Sequence, residues 1–144
     1  MSFVKIWIHA VWGTKNREPV LRKEIREKVK QHIVENSKAK GFLIDCINGH
    51  TDHLHCLMTL NADLSLAKQM QFIKGESSFW INKNKLIAGH FEWADEYFAS
   101  SVSEDKVDIV RAYIVNQEDH HRKTTFLDEY NSFLRHFSFN GSKG

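Results

Sequence analysis

Cysteine is scarce in this chain: its 144 residues include two, Cys46 and Cys56. Their spacing matches none of the paired patterns that hold structural zinc, which argues against a zinc-stapled domain. Both cysteines lie in strand-like segments, where a free cysteine usually behaves as a small buried hydrophobe. We therefore expect two reduced thiols with no catalytic role.

Long apolar segments are also missing. No run of about 18 apolar residues occurs, which is the length that a membrane-spanning helix requires. The opening residues, MSFVKIWIHAVWG, lack the charged leader, apolar stretch and small-residue cleavage site of a signal peptide. These absences predict a cytosolic protein without a membrane anchor.

The charge is not strongly of one sign. A net charge of +2 and a pI of about 8.5 permit binding to nucleic acid through local patches but do not require it. Histidine is more informative, since the chain has nine histidines and this side chain both ligates metals and titrates near neutrality. The positions of the histidines therefore matter more than their number.

The length and the 42% hydrophobic content fit one domain with a continuous core. We expect this domain to span residues 1–138, followed by a frayed tail of Gly- and Ser-containing sequence at 139–144. No repeat, linker or low-complexity tract interrupts the chain.

Hydrophobic periodicity predicts the elements of the domain. Apolar, β-branched and aromatic runs predict four strands, at residues 3–12, 42–48, 53–60 and 91–102. Helical spacing predicts four helices. The first begins near Pro19 and ends at Gly41, and the second spans residues 64–82. The third runs from a capping-box pattern at Ser101 and Glu104 to about Gln117 or His121, and the fourth spans residues 125–134.

This order is β-α-β-β-α-β followed by helices. It predicts an α+β fold of the ferredoxin-like split βαβ type, an antiparallel sheet with helices packed on one face plus C-terminal helices. Because such folds serve many functions, the fold alone does not indicate the activity.

One histidine pair lies on a predicted strand, in the segment GHTDHLHCLMTL. His53 and His55 are two residues apart, so both side chains point to one face of the sheet with Cα atoms about 6 to 7 Å apart. Their neighbours Leu54, Cys56 and Met58 form an apolar row with Leu60 on the other face, so the histidine face need not belong to the core. Two imidazoles can then converge on one ion, although an H-x-H pair is also common on an ordinary polar sheet surface.

A tyrosine and a glutamine lie on the third predicted helix, in the segment VRAYIVNQEDHH. Tyr113 and Gln117 are four residues apart and therefore neighbours on one helical face. Tyr113 also borders an apolar stripe that includes Ile114, so a simple packing role is the alternative.

The two motifs together resemble the single-tyrosine HUH transposases of bacterial insertion sequences and their REP-associated relatives. The resemblance extends over most of the chain, through AVWGTKNREPVL, TDHLH, FIKGESSFWIN and YIVNQEDHHRKTTFLDEY. It implies that His53, His55 and Gln117 are the metal ligands and that Tyr113 is the nucleophile.

The resemblance also implies the reaction. Tyr113 would attack a phosphate of single-stranded DNA, giving a 5′-phosphotyrosine and a free 3′-hydroxyl that can later reverse the step, without ATP. A phenol is a poor nucleophile at neutral pH, so a divalent cation, Mg²⁺ or Mn²⁺, would polarise the phosphate. Zinc is less expected, because glutamine is a poor zinc ligand. The implied partners are hairpin DNA at the ends of an insertion sequence and a second copy of the chain.

Other polar residues carry weaker hypotheses. Phosphates could be contacted by Lys15, Arg17, Lys74, Arg122 and Lys123, and unpaired bases could stack on Trp12 or Trp80, although lysines and arginines are usually solvated surface. His9 is interpreted as a hydrogen-bonded strand histidine, Asp52 as a turn residue, and His120 and His121 as surface or capping residues outside the site.

Two other functions fit the same residues. A noncatalytic nucleic-acid-binding module could use the sheet as a stacking platform, and its binding would not depend on the Tyr113 hydroxyl. A metal-dependent nuclease could use water as its nucleophile, with Tyr113 only structural, and it would release DNA without a covalent adduct.

Overall fold

An antiparallel sheet of four strands forms the centre of the computed structural model, which describes residues 2–139. The strands are β1 (Trp7–Gly13), β2 (Ile44–His50), β3 (His53–Thr59) and β4 (Phe98–Val102), and their order across the sheet is β2-β3-β1-β4. The β2–β3 hairpin closes through Thr51 and Asp52. Of the predicted tail at 139–144, residues 140–144 lie outside the described part of the chain.

Alternation along the two central strands gives the sheet two different faces. Ile8, Ala10 and Trp12 of β1 point to one face, together with Leu54 and Cys56 of β3. The two histidines of β3 point to the opposite face.

Two long helices cover the first face. They are α1 (Lys23–Ala39) and α2 (Leu66–Lys83), and their buried apolar side chains form the main core with the sheet. Gly41 follows α1 with φ of +95°, the left-handed conformation that glycine adopts without strain. The N-terminus of α2 is capped by Ser65, whose side chain accepts a hydrogen bond from the backbone of Lys68.

Three shorter helices cover the second face. These are α3 (Val107–Val115), α4 (Gln117–His120) and α5 (Phe126–His136). Leu57 of β3 packs beneath Val107 and Ile114 of α3, while Val11 of β1 packs beneath Phe126 of α5. The predicted α+β antiparallel fold is confirmed, and its C-terminal helices bury the face that the first two helices leave open.

Two predicted strands are shorter than expected. Pairing of β1 with both neighbours begins at Trp7, and Phe3 is 94% exposed, because its segment has no partner strand on either side. Residues 91–97 do not join β4. Instead Phe91 and Trp93 are buried in the main core, and Asn82 of α2 exchanges two hydrogen bonds with the backbone of Phe91.

The predicted capping box is wrong. Ser101 lies inside β4, paired with Ile8, and the third helix begins later, after a short 3-10 turn at Glu104–Lys106. That helix also does not run unbroken to His121, because it ends at Val115 and a new helix begins at Gln117. The last helix matches its prediction and is capped by Thr125.

Both cysteines are free thiols, as predicted. Burial raises the pKa of Cys46 to about 11. Burial also raises the pKa of Cys56, well above its ordinary range. Both groups are therefore protonated at neutral pH and unreactive. Within the described residues, none of the helices combines the length and the apolar character needed to cross a membrane.

The close approach of β2 to β3 beside the histidine pair depends on Gly49. A methyl group at this position would overlap the carbonyl group of His53. We expect Gly49→Ala to lower the free energy of unfolding by about 3 kcal/mol, because backbone atoms cannot yield as a flexible side chain can. Chemical denaturation followed by circular dichroism measures this change.

The matched control is Gly75→Ala in α2, where an added methyl group meets no atom within 4 Å. This variant should be more stable than the wild type by up to about 1 kcal/mol, because alanine favours the helix. Equal stability of the two alanine variants would contradict the steric argument.

Candidate metal centre and nucleophile

The histidine pair of β3 lies on the second face of the sheet, as the alternation predicts. His53 and His55 are both fully buried, and their ring centroids are 5.1 Å apart. This face is therefore buried, an outcome that the alternation along the strand left open. The C-terminal helices, whose packing has no signal in the local pattern around the pair, fold over it.

Tyr113 and Gln117 remain neighbours although the helix breaks between them. Gln117 is fully buried, and its Oε1 lies 3.0 Å from Nε2 of His53. The ring centroids of Tyr113 and His55 are 5.6 Å apart. All four residues implied by the resemblance therefore meet within a single chain.

Contacts to the sheet and to α1 hold the broken helix in place. Asn48 of β2 donates to the backbone carbonyl of Val115 at 2.9 Å, at the end of α3. The buried Arg26 of α1 donates to Glu118 of α4 at 2.8 Å. These anchors set the position of Gln117 between them.

A fifth residue, Glu129 of α5, lies at the centre of this cluster. It is 3% exposed, and its Oε1 lies 3.3 Å from Nε2 of His53, 3.0 Å from Nε2 of His55 and 3.1 Å from Nε2 of His121. Its Oε2 accepts a hydrogen bond from the Tyr113 hydroxyl. Glu129 thus connects the histidines with the tyrosine.

The sequence interpretation missed Glu129, although a signal was present. In α5, Phe126, Glu129 and Phe133 follow helical spacing and share one face. A carboxylate on an otherwise aromatic stripe is unusual, since buried acidic residues require partners. This exception to the apolar pattern marks a candidate site residue.

His120 and His121 also belong to the cluster, which corrects their placement outside the site. Nε2 of His120 lies 3.1 Å from Oε2 of Glu129 and 3.3 Å from the Tyr113 hydroxyl. His121 donates from Nδ1 to the carbonyl of Thr124 at 2.6 Å, which leaves its Nε2 facing Glu129. The turn between α4 and α5 brings both rings back over the sheet.

The outward nitrogen of each β3 histidine also has a partner. Nδ1 of His53 contacts Asp52 at 2.9 Å, so Asp52 is more than a turn residue. Nδ1 of His55 contacts Nε2 of His9 at 3.0 Å, and this hydrogen bond matches the interpretation of His9. Partners of this kind orient the imidazoles of metal sites.

Burial and hydrogen bonding set the protonation states. Burial lowers the pKa of His55 to about 3 and the pKa of His9 to about 4. Burial also lowers the pKa of His53, but hydrogen bonds to Asp52 and Glu129 outweigh it, and the net pKa lies above the ordinary value. The contact between His55 and Glu129 is therefore a hydrogen bond from a neutral imidazole and not an ion pair.

The pKa values of the Glu129 carboxyl group and the Tyr113 phenol are shifted in opposite directions. Burial alone would raise the pKa of Glu129, but hydrogen bonds from the histidines, His121 first, lower it far below its usual range. Burial, together with the Glu129 carboxylate, raises the pKa of Tyr113 far above its ordinary value. The site therefore holds an ionised carboxylate beside a protonated phenol.

These side chains fit a divalent cation. The ligand atoms of His53, His55, His121 and Glu129 all lie within 4.8 Å of one another. One carboxylate oxygen faces three imidazole nitrogens, more donors than its lone pairs can accept with good geometry. A cation bound among these atoms could accept one lone pair from each imidazole and one from the carboxylate, as in a metal centre.

The remaining candidates are scattered. Trp12 is fully buried in the core and is not available to stack on DNA bases, and Trp80 stacks on His32 with 4.1 Å between ring centroids. Lys74 donates to the carbonyl of Asp95 at 2.9 Å and is half-buried. Arg122 and Lys123 are exposed in the turn after α4.

Lys15 and Arg17 line a groove beside the site. This groove has a volume of about 630 Å³ and lies between the segment after β1, residues 92–96 and α5. One wall includes Phe126, whose ring stacks on His53 with 4.2 Å between centroids. Lys15 pairs with Glu92 at 2.8 Å, so the groove carries charges of both signs.

The partner of His55 offers a test of this arrangement. We expect His9→Phe, which keeps the aromatic volume but removes the hydrogen bond to His55, to weaken Mn²⁺ binding about 10-fold or more. Isothermal titration calorimetry measures the affinity. The control is His32→Phe, a change to a histidine between α1 and α2 on the other side of the sheet, which should bind Mn²⁺ as the wild type does. Equal losses in both variants would contradict an orienting role for His9.

The fold and the site define a class of protein. A strand histidine pair facing a tyrosine–glutamine helix on an antiparallel sheet is the arrangement of the single-tyrosine HUH transposases. The family described as "Transposase IS200 like" matches residues 2–117, and the chain belongs to this family. The matched part includes the histidine pair, Tyr113 and Gln117, and ends before His121 and Glu129.

Two solved structures share the fold. One is a candidate transposase from Deinococcus radiodurans R1, with 22% identity, a TM-score of 0.64, and coverage of 81% of this chain and 93% of that chain. The other is a REP-associated tyrosine transposase bound to a REP hairpin, with 16% identity, a TM-score of 0.64, and coverage of 84% of this chain and 72% of that chain. No protein of curated function matches the sequence.

Proposed function

We propose that this transposase cleaves and rejoins single-stranded DNA through a covalent 5′-phosphotyrosine on Tyr113, with assistance from a divalent metal. One observation carries the proposal: within one chain, the Tyr113 hydroxyl contacts the same carboxylate that contacts both histidines of β3. A nucleophile and a candidate metal centre therefore lie on either side of Glu129.

Tyr113 supplies the attacking oxygen. Its oxygen loses the phenolic proton and forms a bond to phosphorus, the bond from phosphorus to the 3′-oxygen breaks, and the 3′-oxygen takes up one proton and leaves as a hydroxyl. Glu129 accepts the hydrogen bond of the phenol, which orients the hydroxyl, and His120 lies 3.3 Å from the same oxygen. The reverse attack by another 3′-hydroxyl restores the phenol and joins new strands.

His53, His55 and Gln117 are the proposed protein ligands of the metal, Mg²⁺ or Mn²⁺. When bound, such a cation polarises a nonbridging phosphate oxygen and offsets the low reactivity of a protonated phenol. Because both histidines are buried under α5, the DNA must approach from the side where Tyr113 and His120 stay partly exposed.

The proposed substrate is single-stranded DNA with a hairpin, from the ends of an insertion sequence. A relative of the same fold is bound to a REP hairpin, which supports hairpin DNA for this chain. Lys15 and Arg17, beside the site, are proposed phosphate contacts, together with Lys74, Arg122 and Lys123. A homodimer and a cytosolic location are proposed from the resemblance and the sequence.

The test incubates the protein with Mn²⁺ and hairpin-bearing single-stranded DNA from the flanks of its own gene, labelled at either end. The expected result is a protein–DNA band on a denaturing gel that carries the 3′ label, together with a released 5′-labelled fragment ending in a 3′-hydroxyl. Released fragments without a protein-bound band would indicate a nuclease that uses water. Binding without cleavage, while a related active enzyme cleaves its own DNA in parallel, would indicate a noncatalytic module.

A further inference from the structure

We propose that Glu129 and His121 are metal ligands beside His53 and His55, and that these three imidazoles and one carboxylate select a divalent first-row transition metal over Mg²⁺. The inference rests on the proposed function for the role of the metal, and it adds two ligands and a metal class.

Glu129 is a buried carboxylate, and no lysine or arginine among residues 2–139 pairs with it. Across residues 2–139, its contacts are four histidines, Tyr113 and Gln117. A buried carboxylate is costly unless it is paired or binds a metal. A dication held among the surrounding imidazole nitrogens would supply the positive partner that this carboxylate requires.

The imidazole of His121 is oriented with one nitrogen toward Glu129. Its Nδ1 donates to a backbone carbonyl, that of Thr124, so Nε2, which faces Glu129, is the nitrogen available to bind a metal. His53 has the same arrangement, with Nδ1 on Asp52 and Nε2 inward. An outward N–H held by an oxygen and an inward lone pair are the usual state of a metal-bound histidine.

The two added ligands, His121 and Glu129, come from the C-terminal part of the chain. The family match ends at Gln117, so His121 and Glu129 come from a segment that the family model does not cover. That segment folds back so that Nε2 of His121 and Oε1 of Glu129 lie within 4.8 Å of the ligand atoms of the β3 pair. The C-terminal helices thus complete the centre that the common part of the fold begins.

The donor types decide the metal class. Mg²⁺ prefers oxygen ligands in octahedral geometry and keeps several waters. Imidazole nitrogen suits iron, nickel, copper and zinc, and the affinity of a nitrogen-containing site rises from manganese through cobalt to copper. Three imidazoles with a carboxylate form such a nitrogen-rich set. The sequence argument against zinc depended on Gln117 as the third ligand, and the presence of Glu129 and His121 removes that reason.

The experiment measures metal binding directly on the full chain. Isothermal titration calorimetry with Mn²⁺, Co²⁺ and Mg²⁺ compares the wild type with Glu129→Gln and His121→Gln. We expect the wild type to bind Co²⁺ at least about tenfold more tightly than Mg²⁺, with the affinity for Mn²⁺ between the two. The metal affinity of each variant should fall by at least roughly 10- to 100-fold, the loss caused by changing residues that only hold a metal ligand in place.

Two exposed residues of the same types serve as controls. Glu24→Gln and His90→Gln remove a carboxylate and an imidazole far from the centre, and both should bind metal as the wild type does. X-ray absorption of the Co²⁺ form gives a second readout: three imidazole ligands in the wild type and two in His121→Gln. Circular dichroism reports whether each variant is folded. If Glu129→Gln does not fold, the X-ray absorption spectra still decide the assignment of His121.

The outcomes separate this inference from the proposed function. Unchanged metal affinity in folded variants, two imidazoles in the wild type, or tighter binding of Mg²⁺ would each overturn the inference, even if the DNA adduct forms. If the affinities and spectra are as expected but no adduct forms, the ligand assignment stands and the proposed strand transfer fails.

Discussion

Replacement of Tyr113 by phenylalanine should abolish the covalent protein–DNA adduct and all strand joining. The change removes one oxygen atom, which is the proposed nucleophile. Among residues 2–139, Tyr113 supplies the one hydroxyl group that contacts Glu129 beside the histidine pair. Metal affinity and DNA affinity should stay close to those of the wild type, because the ligands and the groove are unchanged. Gel analysis of the adduct, together with calorimetry, measures both.

The control for this prediction is Tyr97→Phe, which removes a hydroxyl from a half-buried tyrosine outside the cluster. This variant should form the adduct as the wild type does. An adduct that persists in Tyr113→Phe would rule out Tyr113 as the attacking residue. Loss of metal binding in Tyr113→Phe would instead show that the hydroxyl supports the centre through Glu129.

A mixture of two inactive variants should remain inactive. Tyr113→Phe lacks the nucleophile and His55→Gln lacks a ligand, so each chain alone has an incomplete site. In the structure Tyr113, His55 and Glu129 belong to one chain and are in contact through Glu129, so a mixed pair of chains would contain no complete site.

Recovery of activity in the mixture would indicate a site shared between two subunits. If the tyrosine of one subunit served the histidines of another, then mixing would pair the intact Tyr113 of one variant with the intact His55 of the other and restore adduct formation. Restored activity in the mixture would therefore contradict a site built within one chain. Each variant is also assayed alone, and size-exclusion chromatography with light scattering reports whether the chains associate.

The predictions that succeeded depend on local periodicity. A strand places residues two apart on one face, so the convergence of His53 and His55 was visible from their spacing. A helix places residues four apart side by side, which paired Tyr113 with Gln117 and survived the break at Asn116. The family resemblance supplied the link between these two local motifs, which spacing alone did not.

The predictions that failed concern how segments end and what covers them. Phe91 and Trp93 have the composition of a strand, yet they fill the core from a loop in which Trp93 forms an isolated bridge to Thr14. The pattern around the histidine pair leaves open what covers its face of the sheet, and in the structure α5 covers it. Composition does not distinguish between these arrangements, since each one buries the same aromatic side chains.

The order of elements, the α+β class and the two motifs followed from the amino-acid pattern, because side-chain direction within a strand or helix is set by neighbours along the chain. The chemistry of the centre was decided by tertiary structure. Glu129 meets His55 from 74 positions away along the chain, through a turn and a helix whose placement depends on packing against Val11 and Phe98. No local spacing encodes that encounter, so the carboxylate that joins nucleophile and ligands emerged only from the folded chain.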